Sequence, residues 1–112
     1  MKRLNFYPYY EPYLMNGTKT TTFRVSTVQP YTRGEKVMLT IGWTKADAKE
    51  LHPATIQEVY SRRLSELQEY DFRGESPDCK LPEATRLVLS GIYNKVLNND
   101  DAIWVVKFSH GK

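Results

Sequence analysis

The chain contains few of the residues that build disulfides and metal centres. Of its 112 residues, one is cysteine and two are histidine. Cys79 has no partner for an internal disulfide, and we interpret it as a structural or incidental thiol. His52 and His110 are far apart in sequence and match no ligand spacing. We therefore predict no metal site and no cofactor.

Long apolar runs are also missing. No stretch approaches the roughly 20 apolar residues of a transmembrane helix, and the first residues lack the apolar segment of a signal peptide. We expect a cytoplasmic protein without membrane contact. A composition of 40% hydrophobic and 26% charged residues is ordinary for a globular protein. The length predicts one domain over residues 1–112, which we expect to be a monomer.

Positive charge is modest in amount and uneven in distribution. The net charge is +3 at pH 7. Residues 1–50 contain eight lysines and arginines against four acids, whereas residues 51–112 contain eight against nine. We therefore expect the N-terminal half to carry the basic surface, where an anionic partner would bind.

The most informative stretch is Asn16–Arg24, in which a glycine, a lysine and an arginine surround a run of threonines. Gly17 can adopt the positive φ that ends a short helix, for which Tyr10–Asn16 is suited. Lys19 follows in the turn before the threonines. The sequence thus predicts a helix, a turn and a strand in quick succession.

The threonine run itself predicts a strand over Thr20–Val25, because β-branched residues are enriched in strands. Alternation along a strand places Phe23 and Val25 on one face, which we expect to be the core face. Thr22 and Arg24 then share the other face. A hydroxyl and a guanidinium beside the preceding lysine can bind a phosphate or the polar edge of a base.

Other local patterns complete an α+β prediction. A capping box at Ser65 and Gln68 predicts a short helix from Glu66. Thr44–Leu51 is polar and predicts a loop or a single helical turn. Further strands, the third of them bent or bulged, are predicted at Leu4–Phe6, Lys36–Ile41, Ala54–Leu64 and Ile103–Phe108.

One longer helix is predicted before the last strand. Pro82 suits a first helical turn, and four apolar residues then recur at every fourth position. These residues are Ala84, Val88, Ile92 and Val96. We expect the sheet to curl around this helix.

The order of these motifs resembles a known family. Gly17-x-Lys19-x-x-x-x-Arg24 is followed by Tyr31-x-x-Gly34-Glu35 and an apolar strand. This pattern resembles the activating-signal-cointegrator homology (ASCH) domains, a branch of the PUA-like folds, and the likeness covers essentially the whole chain. It implies an α+β fold, a PUA-like curled β-barrel of about five or six strands with two or three flanking helices.

The resemblance also implies a function. PUA-like domains commonly bind RNA or recognise modified bases, so RNA or a modified nucleoside is the expected partner. The expected site is a basic cleft containing Gly17, Lys19 and Arg24. Tyr9, from the tyrosine cluster at residues 7–13, and Trp43 are candidates for stacking on a base, although core packing is the commoner role of such residues.

An enzymatic alternative follows from one bacterial branch of the family, which hydrolyses the acetyl amide of N(4)-acetylcytidine with a lysine, a threonine and a glutamate. By position these are Lys19, Thr22 and Glu75, with Asp78 or Glu83 as competing acids. Thr22 would attack the carbonyl, and Lys19 would accept its proton.

Two further interpretations received less support from the residues. A protein-interaction module is neither favoured nor excluded, and a nuclease finds no supporting histidine pair or acidic cluster. An enzyme should enclose its small substrate in a deep cleft, whereas an RNA platform should be open.

Overall fold

The computed structural model describes residues 1–77 and 81–111, so Asp78 and Cys79 lie outside the described residues. Within these residues the strands are β1 (Lys2–Phe6), β2 (Thr21–Arg24), β3 (Lys36–Ile41), β4 (Lys49–Arg63) and β5 (Ala102–His110). The α-helices are α1 (Glu11–Met15), α2 (Glu69–Phe72) and α3 (Pro82–Ile92), and short 3₁₀ turns cover Pro8–Tyr10 and Leu64–Glu66. The predicted α+β fold is confirmed.

The strands form one curled sheet in the order β1-β3-β4-β5-β2. The β1–β3 pair is parallel, and the other pairs are antiparallel. The two edge strands lie close enough for a side chain to bridge them. Nη2 of Arg24 on β2 donates to the backbone oxygen of Asn5 on β1 at 2.8 Å. The sheet is therefore a half-barrel, and a seam runs between its edges.

The curled sheet has apolar cores on both faces. On β5, Val106 and Phe108 belong to the core that contains Leu4. The alternate residues Ile103 and Val105 belong to the second core, beneath α3. Since β5 is buried on both faces, its sequence is almost continuously apolar, as expected for such a strand.

Several local predictions are confirmed. Helix α1 ends before Gly17, which has φ 78°. Phe23 is buried in the second core. The pairing of β4 with β5 shifts register between Ile56 and Glu58, which is the predicted irregularity.

The helix predicted from Glu66 is wrong. Ser65 lies inside a 3₁₀ turn, and its backbone N–H donates to the oxygen of Asn99 at 2.8 Å. Helix α2 begins three residues later, with Gln68 and Asp71 as its capping box. Ser65 and Gln68 both offer a capping residue in this stretch, and the helix uses the second.

The ends of two other elements also differ from prediction. Strand β4 begins at Lys49, inside the stretch expected to be a loop or a helical turn. Helix α3 ends at Ile92, so Val96 lies beyond it and is exposed. Each four-residue step overshoots a helical turn by about 40°, so the predicted apolar stripe drifts off the buried face. The fully buried positions of α3 are Thr85 and Leu89.

Candidate functional site

A cleft of about 390 Å³ opens at the seam of the half-barrel. Its polar floor contains two cations, a hydroxyl and a carboxylate, and α3 supplies one apolar side. The floor residues are Lys19, Thr22, Arg24 and Glu75. Aromatic side chains surround them: Tyr7, Tyr10, Trp43 and Tyr93. Residues separated by most of the chain therefore meet in one small space.

Lys19 and Glu75 form an ion pair at the bottom of the cleft. Both are buried, with 3% and 6% of their surface exposed. Nζ of Lys19 donates to Oε1 of Glu75 and to the backbone oxygen of Thr21 at 3.0 Å. The ammonium also lies 4.9 Å from the ring centroid of Tyr10. In so dry a site the two charges are weakly screened and depend on each other.

Glu75 has one oxygen occupied by the protein and one available. Oε1 accepts from Lys19 and from the backbone N–H and hydroxyl of Ser76, at 2.9 and 3.1 Å. Within residues 1–77 and 81–111, no group donates to Oε2. Glu75 lines the cleft, so Oε2 is an acceptor that a ligand N–H could satisfy.

The loop that carries Glu75 is anchored to the sheet. The carbonyl oxygen of Gly74 accepts from the backbone N–H groups of Thr20 and Thr21 at 2.8 and 3.0 Å. Lys107 on β5 donates to the carbonyl immediately before Gly74 at 3.2 Å. Burial lowers the pKa of Lys107, although the neighbouring acids oppose this effect. The position of Glu75 is thus set by backbone contacts as well as by its ion pair.

Arg24 orients Thr22 and closes the seam. Its Nε donates to Oγ1 of Thr22 at 3.2 Å, while Nη2 donates to Asn5 on the opposite edge strand. The guanidinium lies 4.9 Å from the ring centroid of Phe6. Arg24 therefore directs two donors to protein acceptors, and it holds the buried Thr22 hydroxyl at the cleft.

Of the other predicted binding residues, one lines the cleft and two do not. Trp43 lines the cleft mouth, 63% exposed and 5.1 Å from the ring of Tyr7. Tyr9 is also exposed, but it packs beside Tyr10 and does not line this cleft. Gly17 shapes the turn after α1 and is likewise outside the lining.

Of the candidate acids that the structure describes, Glu75 and Glu83, only Glu75 contacts Lys19. Glu83 is exposed on the first turn of α3 and pairs with Arg86. Asp78 falls outside the described residues. Glu75 and Lys19 are 56 positions apart, so no sequence spacing indicated their contact.

Sequence reasoning missed several residues of the cleft. Asn5 lines it and is held in place by Thr40, whose hydroxyl donates to Oδ1 of Asn5 at 2.7 Å. Tyr93 and Lys45 also line the cleft. The tyrosine cluster was a signal for Tyr7 and Tyr10, but no pattern linked the others to Lys19.

The two histidines contact each other next to the site. Nε2 of His52 and Nδ1 of His110 are 2.7 Å apart, and Nε2 of His110 lies 2.8 Å from the backbone oxygen of Lys19. In the described part of the chain, no three histidine, cysteine, aspartate or glutamate side chains are grouped as metal ligands. Nor does any helix there have the length and apolar character needed to cross a bilayer.

Structural comparison finds the same architecture in solved structures. An ASCH domain from Lactobacillus crispatus JV V101 aligns with a TM-score of 0.69 and 14% identity, covering 97% of this chain and 79% of that one. A DUF984-family protein from Enterococcus faecalis V583 aligns with a TM-score of 0.63 and 15% identity, covering 88% and 67%. No family profile and no curated protein sequence matches the chain. At these identities, the likeness establishes that the chain has an ASCH fold.

Proposed function

We propose that this chain, which has the ASCH fold, binds RNA or a modified nucleoside by taking one nucleoside into the cleft. The observation that carries the proposal is a buried Lys19–Glu75 pair with an open carboxylate oxygen, surrounded by aromatic rings. A volume of about 390 Å³ suits a nucleoside-sized ligand, since small-molecule pockets measure roughly 300–1,000 Å³.

The polar edge of a base fits the cleft floor better than a phosphate does. The charge of Lys19 is already balanced by Glu75, and Arg24 has given two of its five N–H groups to protein oxygens, so only part of the positive charge at the floor is left for an anion. Oε2 of Glu75 would accept from a ring or exocyclic N–H of the base. Trp43 and its neighbouring tyrosines would stack on the base faces.

Binding of nucleosides to the purified chain tests this proposal. We expect calorimetry to detect at least one ligand among the four ribonucleosides and N(4)-acetylcytidine. Trp43→Ala should weaken that binding by about 1–3 kcal/mol, the usual contribution of one stacked base. Tyr9→Ala is the matched control, since Tyr9 is an exposed aromatic residue outside the cleft.

Two results would contradict the proposal. One is the absence of binding for all five nucleosides. The other is binding that depends on Tyr9 but not on Trp43, which would locate the ligand on the open tyrosine surface rather than in the cleft.

A second candidate is hydrolysis of an acyl group from a modified nucleoside. It is favoured by the fact that Thr22, Lys19 and Glu75 line one cleft and are each under a tenth exposed, as an enclosed amide substrate requires. Arg24 supports the threonine, because a donor on its Oγ1 stabilises developing negative charge.

The reaction would begin with a proton transfer within the Lys19–Glu75 ion pair. Lys19 passes a proton to Glu75 through their direct hydrogen bond, which leaves a neutral amine beside a carboxylic acid. Lys19 then takes the proton of Thr22 as its oxygen attacks the acyl carbon. Glu75 gives the proton that it received from Lys19 to the departing amine. Water then hydrolyses the acyl-threonine ester, which releases the acid and restores the Thr22 hydroxyl.

Release of cytidine from N(4)-acetylcytidine, followed by chromatography, tests the hydrolase. We expect Thr22→Val and Lys19→Met each to abolish release while the far-ultraviolet circular dichroism spectrum is retained. Thr55→Val is the control, a threonine on β4 outside the cleft. Full turnover by Thr22→Val would exclude this mechanism.

A further inference from the structure

The cations that line the cleft differ in what they contact. Within the described residues these cations are Lys19, Arg24 and Lys45. Lys19 is buried and pairs with Glu75, while Arg24 is half-buried and gives two of its five N–H groups to protein oxygens. Lys45 is exposed and has no hydrogen bond or ion pair with any residue of the described part. Of the three cations it is the most exposed, so an incoming anion meets it first.

The loop after β3 keeps Lys45 at the cleft mouth. A β-carbon at Gly42 would lie 2.6 Å from Cα of Ala48, so the loop returns tightly on itself and only glycine fits there. Oδ1 of Asp47, the acid nearest in sequence, accepts from the backbone N–H and hydroxyl of Thr44 at 2.9 and 3.0 Å. Asp47 is thereby held by Thr44, and no ion pair joins it to Lys45 within the described residues.

The neighbour of Lys45 indicates what that ligand is. Trp43, two residues before it, lines the same cleft and offers an exposed indole. A base stacked near Trp43 would bring its sugar and any attached phosphate towards the mouth, since the base edge is directed at the floor. The ammonium at the mouth would therefore face the phosphate of a nucleotide, and the polar pair at the floor would face its base.

We propose that Lys45 binds the phosphate of a nucleotide, so that the cleft takes a phosphorylated nucleotide in preference to a bare nucleoside. This inference rests on the proposed function. The phosphate can belong to a free mononucleotide or to the backbone of an RNA strand, which present the same chemistry to Lys45.

Paired titrations test it. Each of the five nucleosides is compared with its 5′-monophosphate at low salt, against the wild-type chain, Lys45→Gln and Lys49→Gln. We expect the monophosphate to bind about fivefold tighter to wild type and the advantage to vanish in Lys45→Gln. Lys49→Gln should retain it, because Lys49 pairs with Glu11 at 2.9 Å and does not line the cleft.

The outcomes separate this inference from the proposed function. Nucleosides that bind as tightly as their monophosphates, or an advantage that survives in Lys45→Gln, would overturn the role of Lys45 alone. No binding by either ligand class would overturn both. A short oligoribonucleotide forms the third arm: tighter binding than the monophosphate assigns the phosphate to a strand, and weaker binding assigns it to a free nucleotide.

Discussion

At the scale of single residues, the buried Lys19–Glu75 pair has a large energetic consequence. Both side chains have lost nearly all contact with water. Their desolvation penalty is offset only while each faces the other, since an unpaired charge in such a place is costly. Stability and any chemistry of the cleft therefore depend on the same two side chains.

A double-mutant cycle on this pair should show strong coupling. Lys19→Met and Glu75→Leu are each expected to lower the free energy of unfolding by about 3–5 kcal/mol, because each leaves one buried charge alone. The double variant should lose clearly less than the sum. Urea unfolding measures all three. The exposed pair Lys49–Glu11 is the control, with coupling below about 1 kcal/mol. Additive losses at Lys19 and Glu75 would show that the charges do not depend on each other.

Asp71 makes the acid stability of the chain predictable. Burial by itself would raise the pKa of Asp71, but hydrogen bonds from Tyr60, the backbone of Gln68 and Arg62 outweigh it and lower that pKa below its ordinary 3.8. A lowered pKa stabilises the folded state above the unfolded value, and this stabilisation is lost as the pH falls through the folded value.

Asp71→Asn should therefore be less stable near neutral pH and should lose less stability on acidification. Unfolding free energies measured from about pH 5 to about pH 2 check this, with the exposed Asp100→Asn as control. An acid slope equal to that of wild type would mean that Asp71 does not contribute to it.

At the scale of elements, the loop after α2 determines where Glu75 lies. Gly74 has φ 83°, and a β-carbon there would lie only 2.1 Å from Oγ1 of Thr20, the residue just before β2. The positive φ and the close approach both require glycine, and together they press the loop against the start of β2.

Gly74→Ala should therefore lower the free energy of unfolding by more than the strain of a positive φ alone would. Gly34 is the matched control, because it has φ 86° but no atom within 4 Å of an added β-carbon. We expect Gly34→Ala to cost about 1–2 kcal/mol from its backbone conformation. Gly74→Ala should cost more and should also weaken ligand binding at Glu75. Urea unfolding and calorimetry measure both, and equal losses of stability would contradict the packing argument.

At the scale of the whole molecule, the half-barrel is held closed at its seam by Arg24. Strands β1 and β2 are not neighbours in the sheet order, and the Arg24 side chain bridges them. The sequence led us to expect a ligand-binding arginine. The structure shows two contacts with the protein and leaves three of its N–H groups without a partner among the described residues, so ligand binding by Arg24 stays a prediction. Through the two contacts it bridges the edges between which the cleft opens.

Arg24→Met should loosen both edges at once. We expect a loss of about 1–3 kcal/mol, the usual contribution of a hydrogen bond to a charged group, and faster amide exchange in β1 and β2 but not in β4. Hydrogen exchange followed by mass spectrometry resolves the strands. Arg3→Met is the control, because within the described residues the Arg3 side chain makes only an exposed ion pair, with Glu50 at 3.6 Å. Unchanged exchange in β2 would contradict the bridging role.

Local rules determined much of this fold from the sequence. A run of β-branched residues and a glycine both act on the backbone near them. They therefore predicted the observed limits of β3 and the positive φ of Gly17. The alternation in β2 correctly predicted that Phe23 is in the core. The family resemblance supplied the architecture, and the motif supplied Lys19.

Tertiary structure alone decided how the site is assembled. The contact of Lys19 with Glu75 spans 56 positions, and Arg24 reaches a different strand 19 positions away. Lys45 enters the cleft from the loop after β3, in which the sequence had indicated Trp43 but not the lysine. Pattern and propensity describe a residue among its neighbours, whereas the curl of the sheet determines which distant groups line the same cleft.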